Sequence, residues 1–183
     1  MSFSNLISSA LSSELGDFTS AQTHAQNNHS STDPSLFSSA LSFLSERKSQ
    51  IAEQSDDIDE EHLVQSHQAL YNGGGSGGYG GEQQQQQQQQ HDSSSLGAGA
   101  AMQALKMFSS GGGSGDKNEF IGMAMAQAGK LWEENAGGGN VSGSKQSAIN
   151  SAAEMAFKMY LKGSGSSGTG GPAGLMSLAS KFL

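Results

Sequence analysis

Three stretches of the chain repeat one pattern of small, basic and aromatic residues. Aligned on a shared lysine, residues 97–108, 121–132 and 149–160 agree in residue type at five positions. The small residues recur at helical spacing and a large apolar pair closes each copy, so each copy forms one face of an α-helix. The repeat therefore predicts helices that pack closely against sister helices. The matched sets are Ala100/Ala124/Ala152, Ala104/Ala128/Ala156, Lys106/Lys130/Lys158, Met107/Leu131/Met159 and Phe108/Trp132/Tyr160.

Composition favours helices over sheets in this chain. Valine, a typical strand residue, occurs only at Val64 and Val141. Hydrophobic residues make up 34% of the 183 residues and glycines number 26, which leaves apolar material for one core of modest size. We therefore predict an all-α fold, a compact bundle of about six or seven short amphipathic helices with internal helical repeats, interrupted by flexible Gly/Ser/Gln-rich segments.

A second repeat lies in the N-terminal part, where residues 6–12 and 36–42 share apolar residues at helical spacing. Asp33 followed by Pro34 is typical of a helix start. The carboxylate can cap the helix, and the N–H that proline lacks would have no partner within the helix at that position. Asp57, with Glu60 three residues later, indicates a further start. The helices predicted outside the triple repeat are residues 3–15, 34–52, 57–71 and 174–182.

We predict one helical unit over residues 1–183 with three parts. Residues 1–72 form acidic N-terminal helices, residues 73–91 a flexible Gly/Gln-rich insertion and residues 92–183 the repeated Ala/Met-rich helices. The insertion includes eight consecutive glutamines, which offer no apolar surface to offset the entropy of ordering. Residues 1–91 carry 11 acidic and 2 basic residues, net −9, whereas the remainder carries 6 and 7, net +1. Whether the two halves share one core stays open at this stage.

Several classes of function are disfavoured by composition. The chain has no cysteine, so it holds neither a disulfide framework nor a thiol nucleophile. The nine basic residues form no patch, and we expect no nucleic-acid partner. We also expect no integral membrane segment, because no apolar run approaches the length of a span. The first residues do not read as a secretory signal, which predicts a cytoplasmic protein, with the nucleus as the alternative.

Formal catalytic motifs in the chain fail on context. Residues 74–78 fit G-x-S-x-G, but a nucleophile elbow needs a strand before it and a helix after it. Asp57, Asp59 and Glu61 alternate like the start of a calcium loop, but His62 stands where that loop needs glycine. We therefore predict no cofactor, no metal and no catalytic residue.

Methionine is the feature with two competing interpretations. Seven of the eight methionines lie between Met102 and Met176. Thioether side chains fill irregular gaps in helical cores, but they also suit adaptable surfaces that bind partner proteins. The candidate residues for partner contact are Met102, Met123, Met125, Met155 and Trp132.

Five stretches of the chain are similar to a known family, and they are residues 35–44, 57–71, 97–108, 118–132 and 174–183. On these stretches the chain resembles a family of small fungal proteins of the beta-flanking type, a domain of unknown function. The resemblance implies a fungal source and one helical unit, and it implies no activity, cofactor or catalytic residue.

Three hypotheses about function follow from the sequence. The leading one is a non-enzymatic helical protein that acts by contact with a protein partner or by self-association. The alternative is a stress-protective protein against drying or heat, which the Gly, Ser and Gln content favours. The weakest is an enzyme that uses Glu60, Glu61 or His67 in a cleft between helices.

Overall fold

The computed structural model describes residues 18–54, 57–71, 91–111, 116–165 and Ser180. The described part consists of six helices, the loops between them and two strands of two residues each, which confirms the all-α prediction. The predicted helix at 3–15, most of the Gly/Gln-rich insertion and, except for Ser180, the predicted helix at 174–182 lie outside the described residues. The elements in chain order are α1 Thr19–Asn28, α2 Pro34–Glu53, α3 Glu60–Tyr71, β1 His91–Asp92, α4 Ser93–Ser110, α5 Lys117–Ala136, β2 Val141–Ser142 and α6 Lys145–Gly165.

Aspartates cap several helices, because their carboxylates accept hydrogen bonds from amides of the first turn. Asp33 accepts from the Ser35 amide at 2.9 Å, with Pro34 as the first helical residue, as the sequence predicts. Asp92 caps α4 in the same way, at 2.7 Å from the Ser95 amide. The start of α3 differs from the prediction at Asp57, because Asp59 provides the cap and accepts from the amide of His62 at 2.9 Å.

Helix α1 is an element that the sequence analysis did not predict. Among its described side chains, only Ala21 and Ala25 are buried, and the buried Phe18 precedes the helix. Two alanines give a weak apolar stripe, and the Phe18 position that precedes the helix makes no side-chain capping bond. Packing against the rest of the molecule stabilises this helix. Because such packing leaves no local pattern in the sequence, a short helix of this kind is hard to predict from sequence alone.

The three repeated helices α4, α5 and α6 all pack against one another. The alanines of the repeat are buried in every copy, and this confirms the predicted packing seam. The N-terminal helices surround the three: α1 packs on α5, α2 on α6 and α3 on α4. The buried apolar residues form one cluster that runs from Phe18 to Met159. The two halves of the chain therefore share one core.

Glycines set the distance between these helices. A Cβ added at Gly97 of α4 would lie 2.7 Å from the Ser151 carbonyl carbon and 2.8 Å from the Ala152 amide nitrogen of α6. A Cβ at Gly122 of α5 would lie 2.6 Å from the Ala21 carbonyl oxygen of α1. Both neighbours are backbone atoms, which cannot move aside as a side chain can. Backbone-to-backbone contact between the helices therefore requires glycine at these two positions.

The prediction from this packing is that Gly97→Ala destabilises the fold by about 1 to 3 kcal/mol, because the added methyl overpacks the contact between α4 and α6. Gly137→Ala is the matched control, since its Cβ would meet only the Glu133 carbonyl oxygen at 3.9 Å in ordinary contact. Chemical denaturation of the two variants measures the difference. Equal stability of Gly97→Ala and the wild type would contradict the close approach.

Candidate functional site

The structure divides the five residues proposed for partner contact. Met102, Met123 and Met125 are buried in the common core. Their burial shows that these three residues fill the core, which was the other interpretation of the methionines. Met155 and Trp132 are half-buried at the edge of the core. Met155 and Trp132 therefore remain the candidates for contact with a partner.

Trp132 holds the connection between α5 and α6. Its indole Nε1 donates a hydrogen bond to the carbonyl oxygen of Gly143 at 3.2 Å. Gly143 has a φ of +107°, a conformation that favours glycine. Next to it, β2 pairs in parallel with β1, with Val141 opposite His91. The indole thus has a structural role as well as an exposed part.

The residues of the enzyme hypothesis do not converge. Glu60 Oε1 lies 3.0 Å from Lys162 Nζ of α6. Glu61 Oε1 accepts from the side chain of Gln65 within α3. His67 Nε2 lies 2.9 Å from Gln103 Oε1 of α4, and because that oxygen can only accept, Nε2 is the donor. Glu60 and His67 are separated by about 10 Å along the helix axis.

A polar cluster that the sequence analysis missed joins three parts of the chain. We call it the His29 cluster, and its members are His29, Ser31, Glu133 and Lys145. His29 Nε2 lies 3.1 Å from Glu133 Oε2 and 3.0 Å from Ser31 Oγ. The Lys145 ammonium donates to the other carboxylate oxygen of Glu133. The loop between α1 and α2, the end of α5 and the start of α6 meet at this carboxylate.

Serine, histidine and glutamate in contact invite comparison with a catalytic relay. In such a relay the hydroxyl binds one ring nitrogen and the carboxylate binds the other. Here both Ser31 and Glu133 lie against Nε2 of His29, so the imidazole cannot pass a proton from one to the other. Ser31 Oγ also donates directly to Glu133 at 3.4 Å. The cluster is built to fasten helices, and the geometry does not form a nucleophile.

A buried threonine in the loop between α1 and α2 packs against α5. Thr32 is 1% exposed, and its hydroxyl oxygen has no hydrogen-bond partner within the described residues. The oxygen lies 2.8 Å from where a Cβ of Gly129 would be placed. A side chain at position 129 would therefore meet the Thr32 hydroxyl, and glycine leaves the space that this hydroxyl occupies.

Lysine and histidine determine the electrostatics of the His29 cluster. The pKa of Glu133 is lowered from its ordinary value of 4.5, first by the hydrogen bond from Lys145, while partial desolvation opposes the shift. The positive charge of Lys145 and the contact with His29 lower it further. The pKa of Asp33 is lowered mainly by its capping bond from the Ser35 amide. Both carboxylates are therefore held in the charged form that their partners need.

A second ionic group links α2 to α6. Glu154 of α6 lies 3.7 Å from a guanidinium nitrogen of Arg47 and 3.2 Å from Lys158 Nζ. Arg47 also lies over the ring of Phe43, 5.0 Å from its centroid. Charged side chains thus join helices here as they do in the His29 cluster.

Two further findings bear on function. Within the described ranges, no group of three or more His, Asp or Glu side chains is placed to hold a metal ion. None of the described helices is both long enough and apolar enough to cross a membrane.

Residues 17–113, just over half of the chain, match the family described as Domain of unknown function (DUF7721). The chain belongs to this family. The match covers α1 to α4 and ends just after α4. In this DUF7721 protein, α4 is covered by α5 and α6, so the core continues beyond the matched residues. Comparison with curated proteins and with solved structures gives no match.

No pattern in the sequence predicts the His29 cluster, because His29 and Glu133 are 104 residues apart. The His29 side chain is only 17% exposed and is paired with Glu133. Neither local spacing nor helical periodicity reports a contact at that separation.

The prediction for the His29 cluster concerns pH. A carboxylate with a lowered pKa in the folded state stabilises the fold at neutral pH and loses that effect as pH falls. We expect Glu133→Gln to be less stable than the wild type at pH 7, and the difference to shrink as pH falls below 4.5, the ordinary pKa of the group. Chemical denaturation at a series of pH values measures it.

Glu134→Gln is the control for this experiment. Glu134 is the next residue of α5, and its carboxylate lies 3.9 Å from Lys130 at i,i+4 spacing on the exposed face. Pairs of this kind contribute about 0.3 to 0.5 kcal/mol, so its loss should change stability little. A gap between wild type and Glu133→Gln that stays constant or widens on acidification would contradict the assignment.

Proposed function

We propose that this DUF7721 protein is a non-enzymatic helical protein that acts by contact with another protein chain or by self-association. The observation that carries the proposal is the use of its ionisable side chains. Glu60 and His67 bind residues of other helices, Glu61 binds within its own helix, and Glu133 joins three segments. A catalytic site needs such groups to face a shared reacting atom, and here they hold the fold.

Met155 and Trp132 are the side chains proposed to make the contact. Both are half-buried, so each combines a fixed position with some accessible apolar surface. An unbranched thioether adapts to the shape of a partner, and an indole contributes a large contact area. We further propose the fungal beta-flanking type and a cytoplasmic or nuclear location, which the resemblance and the composition support.

The test compares the full-length wild type with Met155→Glu. Sedimentation equilibrium measures self-association, and affinity capture with quantitative mass spectrometry measures binding of other proteins. We expect Met155→Glu to reduce the interaction that the wild type shows, because a charge would be desolvated in the contact. Trp132 is left unchanged, because its bond to Gly143 supports the fold.

Lys106→Glu is the control, since it introduces the same side chain at an exposed helical position. Circular dichroism verifies that both variants keep their helices. A wild type that stays monomeric and retains no protein would contradict the proposal, as would equal binding by the wild type and Met155→Glu.

The stress-protective alternative predicts a different result in the same preparations. A protein of that kind stays soluble after boiling and preserves a drying-sensitive enzyme. A folded contact protein with one core melts cooperatively and then precipitates. A melting curve with solubility measured afterwards separates the two.

A further inference from the structure

The described methionines fall into two groups by exposure. Met107 and Met155 are half-buried, and the others are almost fully buried. A peroxide can reach the first group without unfolding of the protein, whereas the second group is shielded by the core. The buried methionines are Met102, Met123, Met125 and Met159.

The sulfur of Met107 accepts a hydrogen bond in addition to its apolar contacts. The side-chain Nε2 of Gln127 in α5 donates a hydrogen bond to Met107 Sδ at 3.3 Å. A thioether has no proton to donate, so the amide nitrogen of Gln127 must face the sulfur. The amide oxygen then faces the other way, and it accepts from the Tyr71 hydroxyl at 3.3 Å. Gln127 thus connects the last residue of α3 to Met107 of α4.

Tyr71 is held in the form that this connection requires. Burial, followed by the negative charge of Glu134, raises the pKa of its hydroxyl above the ordinary value. The hydroxyl therefore stays protonated and donates to Gln127 throughout the physiological range. Its ring also lies against His67, with centroids 4.8 Å apart.

We propose that Met107 is a site of reversible oxidation by hydroperoxides, and that its sulfoxide loosens α3 by breaking the link through Gln127 to Tyr71. A sulfur lone pair attacks one oxygen of the peroxide, so an S–O bond forms and the O–O bond breaks. The sulfur loses two electrons and the peroxide gains them. The second oxygen takes up the remaining proton and leaves as water or as an alcohol.

The surroundings of Met107 accept the product better than those of the buried methionines. A sulfoxide oxygen is a strong hydrogen-bond acceptor, and the Gln127 amide already stands at the sulfur to donate to it. At Met102 or Met125 the same oxygen would be placed inside an apolar core, at the cost of an unpaired buried polar group. The site therefore combines access for the oxidant with a partner for the product.

The consequence for α3 follows from how weakly apolar contacts hold that helix. Only Leu63 and Ser66 are buried in α3, whereas most of α5 is buried. Val64, Leu70 and Tyr71 are half-buried against the core, and polar bonds add to these contacts. The bonds join His67 to Gln103, Glu60 to Lys162 and Tyr71 to Gln127. Since Sδ and Nε2 are 3.3 Å apart, an oxygen on the sulfur leaves the amide no room in its present position, and the amide must shift to donate to that oxygen. The shift breaks the bond between the amide oxygen and the Tyr71 hydroxyl. The other two bonds remain, so α3 loosens at its C-terminal end and stays attached at its start.

The experiment uses the full-length protein and graded hydrogen peroxide. Peptide mass spectrometry gives the order in which methionines are oxidised, and the absence of cysteine removes competing thiol chemistry. We expect Met107 to be oxidised ahead of Met102, Met123, Met125 and Met159. Hydrogen exchange should then be about fivefold faster at the end of α3, the effect of losing one hydrogen bond of average strength. Methionine sulfoxide reductase should restore the original exchange rate.

Two variants connect the effect to this residue. Met107→Leu conserves volume and cannot be oxidised, so peroxide should leave its α3 exchange unchanged. Met155→Leu removes the other half-buried described methionine and should keep the full response. Oxidation of Met107 no earlier than the buried methionines would overturn the proposal. So would unchanged α3 exchange in the oxidised wild type, or an equal response in Met107→Leu.

Discussion

The structure depends on the close approach of three helices whose facing residues are alanine and glycine. At Gly97 a single methyl group would collide with the backbone of α6, and at Gly122 it would collide with the backbone of α1. Such contacts exclude water and bring many atoms within dispersion range, although each residue contributes little apolar area. The large side chains of Phe120 and Phe157 fill the space beside the seam, and both are fully buried. Close packing of small residues beside large ones can therefore hold a chain that is only 34% hydrophobic.

Polar and ionic bonds add to the apolar contacts that hold the outer helices. Helices α1, α2 and α3 each cover one of the three central helices, and each connection includes polar or ionic bonds. The His29 cluster fastens the α1–α2 loop, Glu154 binds Arg47 of α2, and Lys162 binds Glu60 of α3. Partly exposed pairs of this kind contribute modestly to stability, but they fix the orientation of the outer helices. This division explains why acids and histidines that resemble catalytic candidates are occupied in the fold.

Sequence reasoning was sufficient where the signal is periodic and local. The repeated alanines predicted the mutual packing of α4, α5 and α6, and Asp33 with Pro34 predicted the start of α2. It failed for α1, where Ala21 and Ala25 give too weak a stripe to distinguish a helix from a loop. It also failed for the His29 cluster and for the connection from Tyr71 to Met107, which join distant positions. Burial of Met102, Met123 and Met125 depends on which helices surround each residue, and the sequence of one helix does not show which helices pack around it.

Native-state hydrogen exchange of the full chain in low denaturant tests the central claim most directly. If α4, α5 and α6 form one seam on which the rest depends, their slowest amides, including those near Ala124 and Ala128, open together in the global unfolding reaction. The amides of α1, α2 and α3 then exchange through smaller openings of lower free energy. Independent opening of α4, α5 and α6, or greater protection in α3 than in α5, would contradict the account.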